Sequence, residues 1–237
     1  MTASVPAGGR IDKRVASAAE AVAGVPDGAT VLVGGFGEVG VAATLIDALV
    51  EQGPTDLTVV ANNAGAGDRG VAALLRAGRV RRIICSYPRS RGSTWFERRY
   101  AEGSVELEVV PQGTLSERIR AAGAGVPAFY TRTGVGTELA AGKEARTIGG
   151  REYLLEFALP GDIALIRARR GDSWGNLAYH ATARNYAPTM AAAAGLTIAE
   201  VAEPVGEPGA LDPELIVTPG IYVDRLLHVP PATGSAR

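Results

Sequence analysis

From Thr30 onward, short β-branched runs alternate with alanine- and leucine-rich stretches. Thr30–Val33 (TVLV) reads as a short, apolar-leaning strand ending at Gly34. Thr44–Glu51 places Leu45, Ile46, Leu49 and Val50 on one helical face, with Gly53 suited to the left-handed residue that ends a helix. Leu57–Ala61 (LTVVA) reads as the next strand. Val71–Ala77 reads as a helix stopped by Gly78, and Val80–Ser86 as a strand stopped by Tyr87-Pro88. Thr94 with Glu97 has capping-box spacing ahead of a short helix, and Val105–Val110 alternates apolar and acidic residues like a half-exposed strand. Thr114 with Glu117 repeats the capping-box spacing for a helix ending at Gly123.

Repeated strand–helix–strand units predict an α/β fold: an open, mostly parallel sheet with helices on both faces. The later pattern differs. Glu152–Ala158, Ile163–Ala168 and Leu177–His180 read as strands joined by turn-like Pro160-Gly161-Asp162 and Gly171-Asp172-Ser173, predicting a mixed or antiparallel extension. With 237 residues and no break in composition, one domain over 11–229 is expected, flanked by tails at 1–10 and 230–237.

Charge narrows the function classes. Twenty-four basic and 25 acidic residues leave a net charge of −1, which gives no general attraction to nucleic acid or an anionic membrane. A single cysteine, Cys85, excludes an internal disulfide framework and any multi-cysteine metal site, and fits a reducing cytoplasm. The opening MTASVPAGGRIDKR has no apolar run behind a basic start, and no apolar stretch approaches the ~20 residues of a membrane span.

The clearest candidate for chemistry is Gly34-Gly35-Phe36-Gly37-Glu38-Val39-Gly40, between a strand and a helix. Backbone N–H groups of such a turn, aided by a helix N-terminus, suit a phosphate or carboxylate. Residues 35–40 also match G-x-G-x-x-G, but a dinucleotide site wants an acid at the end of the second strand, where this chain has Asn62-Asn63. A tight turn packing helix on sheet explains the glycines equally. Asn62 and Asn63 suit a carboxylate or carbonyl ligand, or else Asx-turn chemistry that ends a strand. Gln112 suits an oxyanion donor, or else a loop residue before a helix. No G-x-S-x-G, H-E-x-x-H or Walker A motif occurs, Cys85 reads as a buried small hydrophobe, and His180 and His228 suggest no shared site.

Four long blocks carry a family resemblance: VLVGGFGEVG after Asp27-Gly28, PQGTLSERIRAAGAGVPAFYTRTGVGT (Pro111–Thr137), GNLAYHATARNYAPTMA (Gly175–Ala191) and LDPELIVTPGIYVDRL (Leu211–Leu226). Together they resemble the alpha subunit of the family I 3-oxoacid coenzyme A transferases, from about Ile11 to Val229. Ala42 stands where the family usually has a proline. Ala61–Ser90 and the turn Gly171–Tyr179 are similar to the 3-oxoadipate branch, while the acetoacetate branch typically reads Ser-Tyr-Val-Gly-Glu-Asn in place of Ser-Tyr-Pro-Arg-Ser (Ser86–Ser90).

The resemblance implies a ribose-phosphate-isomerase-like sheet and exchange of CoA between succinyl-CoA and a 3-oxo acid through a glutamyl-CoA thioester, in ping-pong order. It places the nucleophilic glutamate in a separate beta subunit, with the two subunits paired as a heterodimer, commonly α2β2. It assigns Gly34–Gly40 to CoA binding and sets Asn62, Asn63 and Gln112 in the site, with CoA a substrate rather than a resident cofactor and no metal. Gln112 is then the candidate donor to the thioester oxygen. Two alternatives stand: a succinyl-CoA:acetoacetate transferase subunit, and a noncatalytic CoA- or nucleotide-binding module. The second carboxylate of 3-oxoadipate calls for a cation, and Arg89, with Arg91, follows Val80–Ser86 at the strand's C-terminal end. Solvated loop charge is the other reading of both arginines.

Overall fold

The first half of the chain lays down strands and helices in strict alternation: α1 (Ala18–Val22), β1 (Thr30–Val33), α2 (Ala43–Gln52), β2 (Leu57–Asn63), α3 (Val71–Arg76), β3 (Val80–Tyr87), α4 (Thr94–Ala101), β4 (Glu106–Val109) and α5 (Gln112–Gly123). There follow β5 (Ala128–Thr131), β6 (Ala145–Ile148), β7 (Arg151–Phe157), β8 (Gly161–Ala168), the short pair β9 (Arg170–Gly171) and β10 (Leu177–Ala178), then α6 (Ala187–Ala193), β11 (Ala194–Val201) and β12 (Arg225–His228). The computed structural model describes residues 11–231; the predicted tails lie outside them except for Pro230 and Pro231. No helix among the described residues is long and apolar enough to cross a membrane.

Seven strands form one sheet in the order β12-β11-β8-β1-β2-β3-β4, and every pairing in it is parallel. Period-two alternation splits the core between its faces. Val31, Val33, Val59, Ile83, Cys85, Ile163 and Leu165 pack with buried residues of α1 to α4 on one side. Leu32, Val60, Ile84, Ala164 and Ile166 pack with Leu115 and Ile119 of α5 and Met190 of α6 on the other. Strands covered on both sides need apolar residues at every position, and that is why TVLV and LTVVA show no alternation in sequence.

Chain order runs outward from β1 through β2 and β3 to β4, then returns to β8 on β1's other side and continues to β11 and β12. The order therefore reverses between β1 and β8, and the C-terminal ends of those two strands frame the crevice where open α/β sheets place ligands.

Several expectations require correction. Ile163–Ala168 belongs to β8, a central strand parallel to both β1 and β11, and not to an antiparallel extension. Gly161 and Asp162 open that strand instead of making a turn. The antiparallel part is real but built otherwise, as a three-stranded sheet β5-β7-β6 and the β9–β10 hairpin around Asp172-Ser173. Neither capping box forms. α4 has Ser93 at its N-cap position, with the Ser93 hydroxyl bonding Gly65 O and Ser90 N. α5 begins two residues before Thr114, behind Pro111, and Thr114 is buried. α1, β5, β6, α6, β11 and β12 carried no usable periodic signal: the alanine run of Ala191–Ala194 passes from α6 into β11 without a loop, so composition marks no boundary there.

Candidate functional site

The glycine segment follows β1 at the reversal of strand order. Gly34 N–H extends the sheet to Leu165 O at 2.9 Å, and Phe36 and Val39 exchange both backbone hydrogen bonds at 3.0 and 3.1 Å, so residues 36–39 form a tight turn. Gly35 and Gly40 allow this turn to nest. A Cβ on Gly35 would lie 2.5 Å from Val41 Cγ2, and one on Gly40, whose φ is 81°, would lie 2.6 Å from Ala183 O. The turn lifts two apolar side chains into solvent, Phe36 at 49% exposure and Val39 at 51%.

A residue that sequence reasoning missed holds the turn in place. Asn185 accepts the Gly35 N–H at 3.0 Å and donates to Val39 O at 3.0 Å, while also accepting from Tyr186 N–H at 2.7 Å. It does so from a strained backbone, with φ at 25°. Within the family-like block Gly175–Ala191 nothing but the resemblance singled it out.

The phosphate-cradle reading of the glycines meets two structural facts. Four of the segment's N–H groups, those of Gly34, Gly35, Phe36 and Val39, are already bonded within the protein. The N-terminus of α2 is also taken. Ala42 occupies its N-cap position without a side-chain bond, and Glu200 of β11 accepts the Leu45 N–H at 2.9 Å instead. This carboxylate is 1% exposed, and burial raises its pKa against the N–H bonds and Arg167, 4.0 Å away. A glutamate in a central strand had no apparent use from pattern alone; it closes a helix end from across the sheet.

Three clefts surround this turn. The largest, about 830 Å³, is lined by Phe36, Val39, Tyr179, Thr182, Arg184 and Val217, among others. A second, about 320 Å³, contains Phe36, Gln112, Ser116, Asn185 and Tyr186. Phe36 and Asn185 therefore stand between the two, and Gln112, first residue of α5 and exposed, shares a wall with the glycine turn. The third, about 740 Å³, lies behind Gly40 and is edged by Arg167, Arg169 and His180. Burial pushes the Tyr179 hydroxyl up to about 12, opposed by its bond to Thr218 Oγ1 at 2.7 Å, and pushes Tyr186 up to about 12 as well. Both stay protonated donors at neutral pH. Glu38, at the tip of the turn, is raised by burial and opposed by Arg69.

The other predicted residues sit on the same sheet edge, but outside these clefts. Asn62 is buried at the end of β2, where Ser86 Oγ donates to its Oδ1 at 3.2 Å and to its backbone oxygen at 3.0 Å. Asn63 Oδ1 accepts the Gly65 N–H at 2.8 Å, the Asx-turn geometry that the strand-ending alternative described. Arg89 is exposed in the loop after β3, two strands from β1. Cys85 is fully buried in β3 and its thiol is pushed up to about 12 by burial, so it packs as a small hydrophobe.

The family profile of coenzyme A transferase matches residues 15–228. The alpha subunit of 3-oxoadipate CoA-transferase from Pseudomonas putida is 54% identical over 226 residues, covering 95% of this chain and 97% of that one. The corresponding subunit of succinyl-CoA:3-ketoacid coenzyme A transferase from Xanthomonas campestris is 51% identical over 216 residues, covering 91% and 88%. Among solved structures, the acyl-CoA transferase YdiF apoenzyme from Escherichia coli O157:H7 superposes with a TM-score of 0.81 at 26% identity. That match covers 94% of this chain and 48% of the other, so the chain spans about half the length of that transferase.

Proposed function

The chain belongs to the coenzyme A transferase family as an alpha subunit, and we propose that it works with a beta subunit to move CoA from succinyl-CoA to 3-oxoadipate. The observation that carries this reading is the 54% identity to the Pseudomonas putida 3-oxoadipate subunit along nearly the whole of both chains. In this reading the beta subunit supplies a glutamate carboxylate. The carboxylate displaces CoA from the succinyl thioester, the CoA thiolate returns to the glutamyl carbonyl, and succinate leaves. The acceptor's carboxylate then displaces the CoA thiolate from the glutamyl thioester, the thiolate attacks the acceptor's acyl carbonyl, and the acceptor leaves as its CoA thioester with the glutamate carboxylate restored.

This chain's part is to position and stabilise. The Gly34–Gly40 segment offers the CoA thioester the apolar faces of Phe36 and Val39, on a turn pinned by Asn185. Gln112, across the smaller cleft from Phe36, donates an amide N–H to the thioester oxygen as negative charge grows on it. Asn62 and Asn63 shape the neighbouring strand end. The 51% identity to the Xanthomonas campestris subunit keeps acetoacetate as the second acceptor reading.

The test is co-expression with a similar-sized neighbouring reading frame that carries the glutamate, followed by assays with both acceptors. The chain alone should give no turnover, and the complex should favour 3-oxoadipate in kcat/KM. Acyl-CoA followed by borohydride should reduce a glutamyl thioester in the beta subunit; labelling in this chain would overturn the division of roles. Efficient acetoacetate turnover would move the protein to the second reading. Gln112→Ala should lower kcat by about 10²–10³ with the complex intact, and an unchanged kcat would return Gln112 to a helix-end residue.

A further inference from the structure

The 830 Å³ cleft has one cationic side chain among its lining residues, Arg184, set against the apolar surfaces of Phe36, Val39 and Val217 and the ring of Tyr179. Its guanidinium is exposed and has no hydrogen bond or ion pair to any described residue. The neighbouring cations are committed elsewhere: Arg167 faces Glu200 at 4.0 Å, and Arg169 and Arg170 share Glu203 at 2.7 and 3.5 Å.

The backbone that carries Arg184 is held in an unusual shape. Arg184 ends a 3₁₀ turn, Ala181–Arg184, bracketed by Ala181 with φ at 44° and Asn185 with φ at 25°. Only one other described non-glycine residue, Asp56, has a positive φ, so this strain is concentrated in one turn of the cleft wall. Strain of this kind persists where surrounding contacts over-determine the geometry, and here the Asn185 amide bonds to Gly35 and Val39 supply them. The base of the arginine is thus fixed relative to Phe36 and Val39.

A cleft with apolar side chains and one guanidinium unpaired among the described residues suits a short methylene chain ending in a carboxylate, which arginine binds through two parallel hydrogen bonds. Succinyl and 3-oxoadipyl groups both have that form, and an acetoacetyl group ends in a methyl. We propose that Arg184 holds the distal carboxylate of dicarboxylic acyl groups in this cleft and so selects them over monocarboxylic ones. The inference rests on the transferase reading above. Arg89, the other candidate for that carboxylate, is likewise exposed but does not line the three clefts around the glycine turn.

The experiment uses the complex with the beta subunit, comparing the unaltered chain with Arg184→Gln and Arg184→Lys. KM is measured for 3-oxoadipate, for acetoacetate and, in the reverse direction with acetoacetyl-CoA, for succinate. Arg184→Gln should raise KM for both dicarboxylates by about 10- to 150-fold, and by far less for acetoacetate, with kcat for the dicarboxylates largely retained. Arg184→Lys should recover part of the loss, since an ammonium keeps the charge and lacks the fork. Equal shifts for all three acids would overturn the inference, and so would failure of the variants to co-purify with the beta subunit, which would make Arg184 an interface residue. If the unaltered complex moves CoA to no acid at all, the transferase reading itself fails, and that outcome is separate from any effect of the variants. The succinate arm tests Arg184 even when acetoacetate proves to be the acceptor.

Discussion

The two main sheets of this molecule are stabilised in different ways. In the parallel sheet the central strands are buried on both faces: Val31, Leu32, Val59, Val60 and Leu165 are all 0% exposed. In the small β5-β7-β6 sheet, β6 is exposed throughout and β7 buries only Leu154 and Glu156, while Ile148 and Phe157 remain 45% and 64% exposed. The difference is in what the connections bring. Crossovers between parallel strands must span the sheet, and their helices cover it; antiparallel neighbours need only turns, which cover nothing. The small sheet is therefore fastened by a few polar ties. Arg118 of α5 donates to Phe157 O at 2.8 Å and to Glu108 of β4 at 2.7 Å, and Lys143 pairs with the buried Glu156 at 2.5 Å.

The contrast between the sheets breaks most clearly in the core. Leu32 fills the space over Gly161, where an added Cβ would come within 2.4 Å of its Cγ. Leu32→Ala should cost about 2–5 kcal/mol and lower the denaturation midpoint of the whole domain. A loss confined to one region, read by amide exchange, would show that the parallel sheet is not a single cooperative unit.

Arg118→Ala should act locally. Removing charged hydrogen bonds that are partly exposed should cost about 1–2 kcal/mol, felt as faster amide exchange in β5 and β7 with β1, β2 and β8 still protected. Uniform loss across both sheets would show the two regions to be one unit.

The smallest effect is a pH response of opposite sign at two glutamates of the parallel sheet, Glu108 in β4 at its edge and Glu200 in β11. Burial alone would raise Glu108, but the hydrogen bond and charge of Arg118, with the charge of Arg82, hold it below the usual carboxylate range. Its contribution is complete above that range and lost as pH falls through the lowered value, so acid should first loosen the ties of Arg82 and Arg118 at the β4 edge of the parallel sheet. Glu200 is raised by burial, so its contribution is complete below the usual range and lost as pH rises through the raised value. Glu200→Gln keeps an acceptor for Leu45 and should remove that alkaline-side loss, measured as stability against pH. A Glu200→Gln profile parallel to that of the unaltered chain would place the titration elsewhere.

Sequence pattern was most informative where contacts are local. The strand Thr30–Val33 agrees residue for residue with β1, the helix predicted for Thr44–Glu51 lies within α2, and Gly53 takes the left-handed conformation, φ 95°, that its position predicted. Such features depend on neighbours within one turn of chain, and those are visible in a window of sequence. The glycine segment was placed between β1 and α2 for the same reason. Its surroundings were not legible: Asn185 reaches it across 150 residues, and Glu200 reaches Leu45 across 155.

By itself the sequence determined an α/β chain, the alternation of its first half, the position of the glycine turn and, through long blocks of resemblance, the transferase family. Tertiary structure decided the rest. It put Ile163–Ala168 at the centre of the parallel sheet, left Arg89 outside the clefts, and set Arg184 in one cleft with Phe36. The physical reason is that an apolar run reports only that it will be buried. Which strand lies beside it, in which direction, and which polar side chain completes a distant turn are settled by long-range packing and hydrogen-bond satisfaction, neither of which leaves a period in the chain.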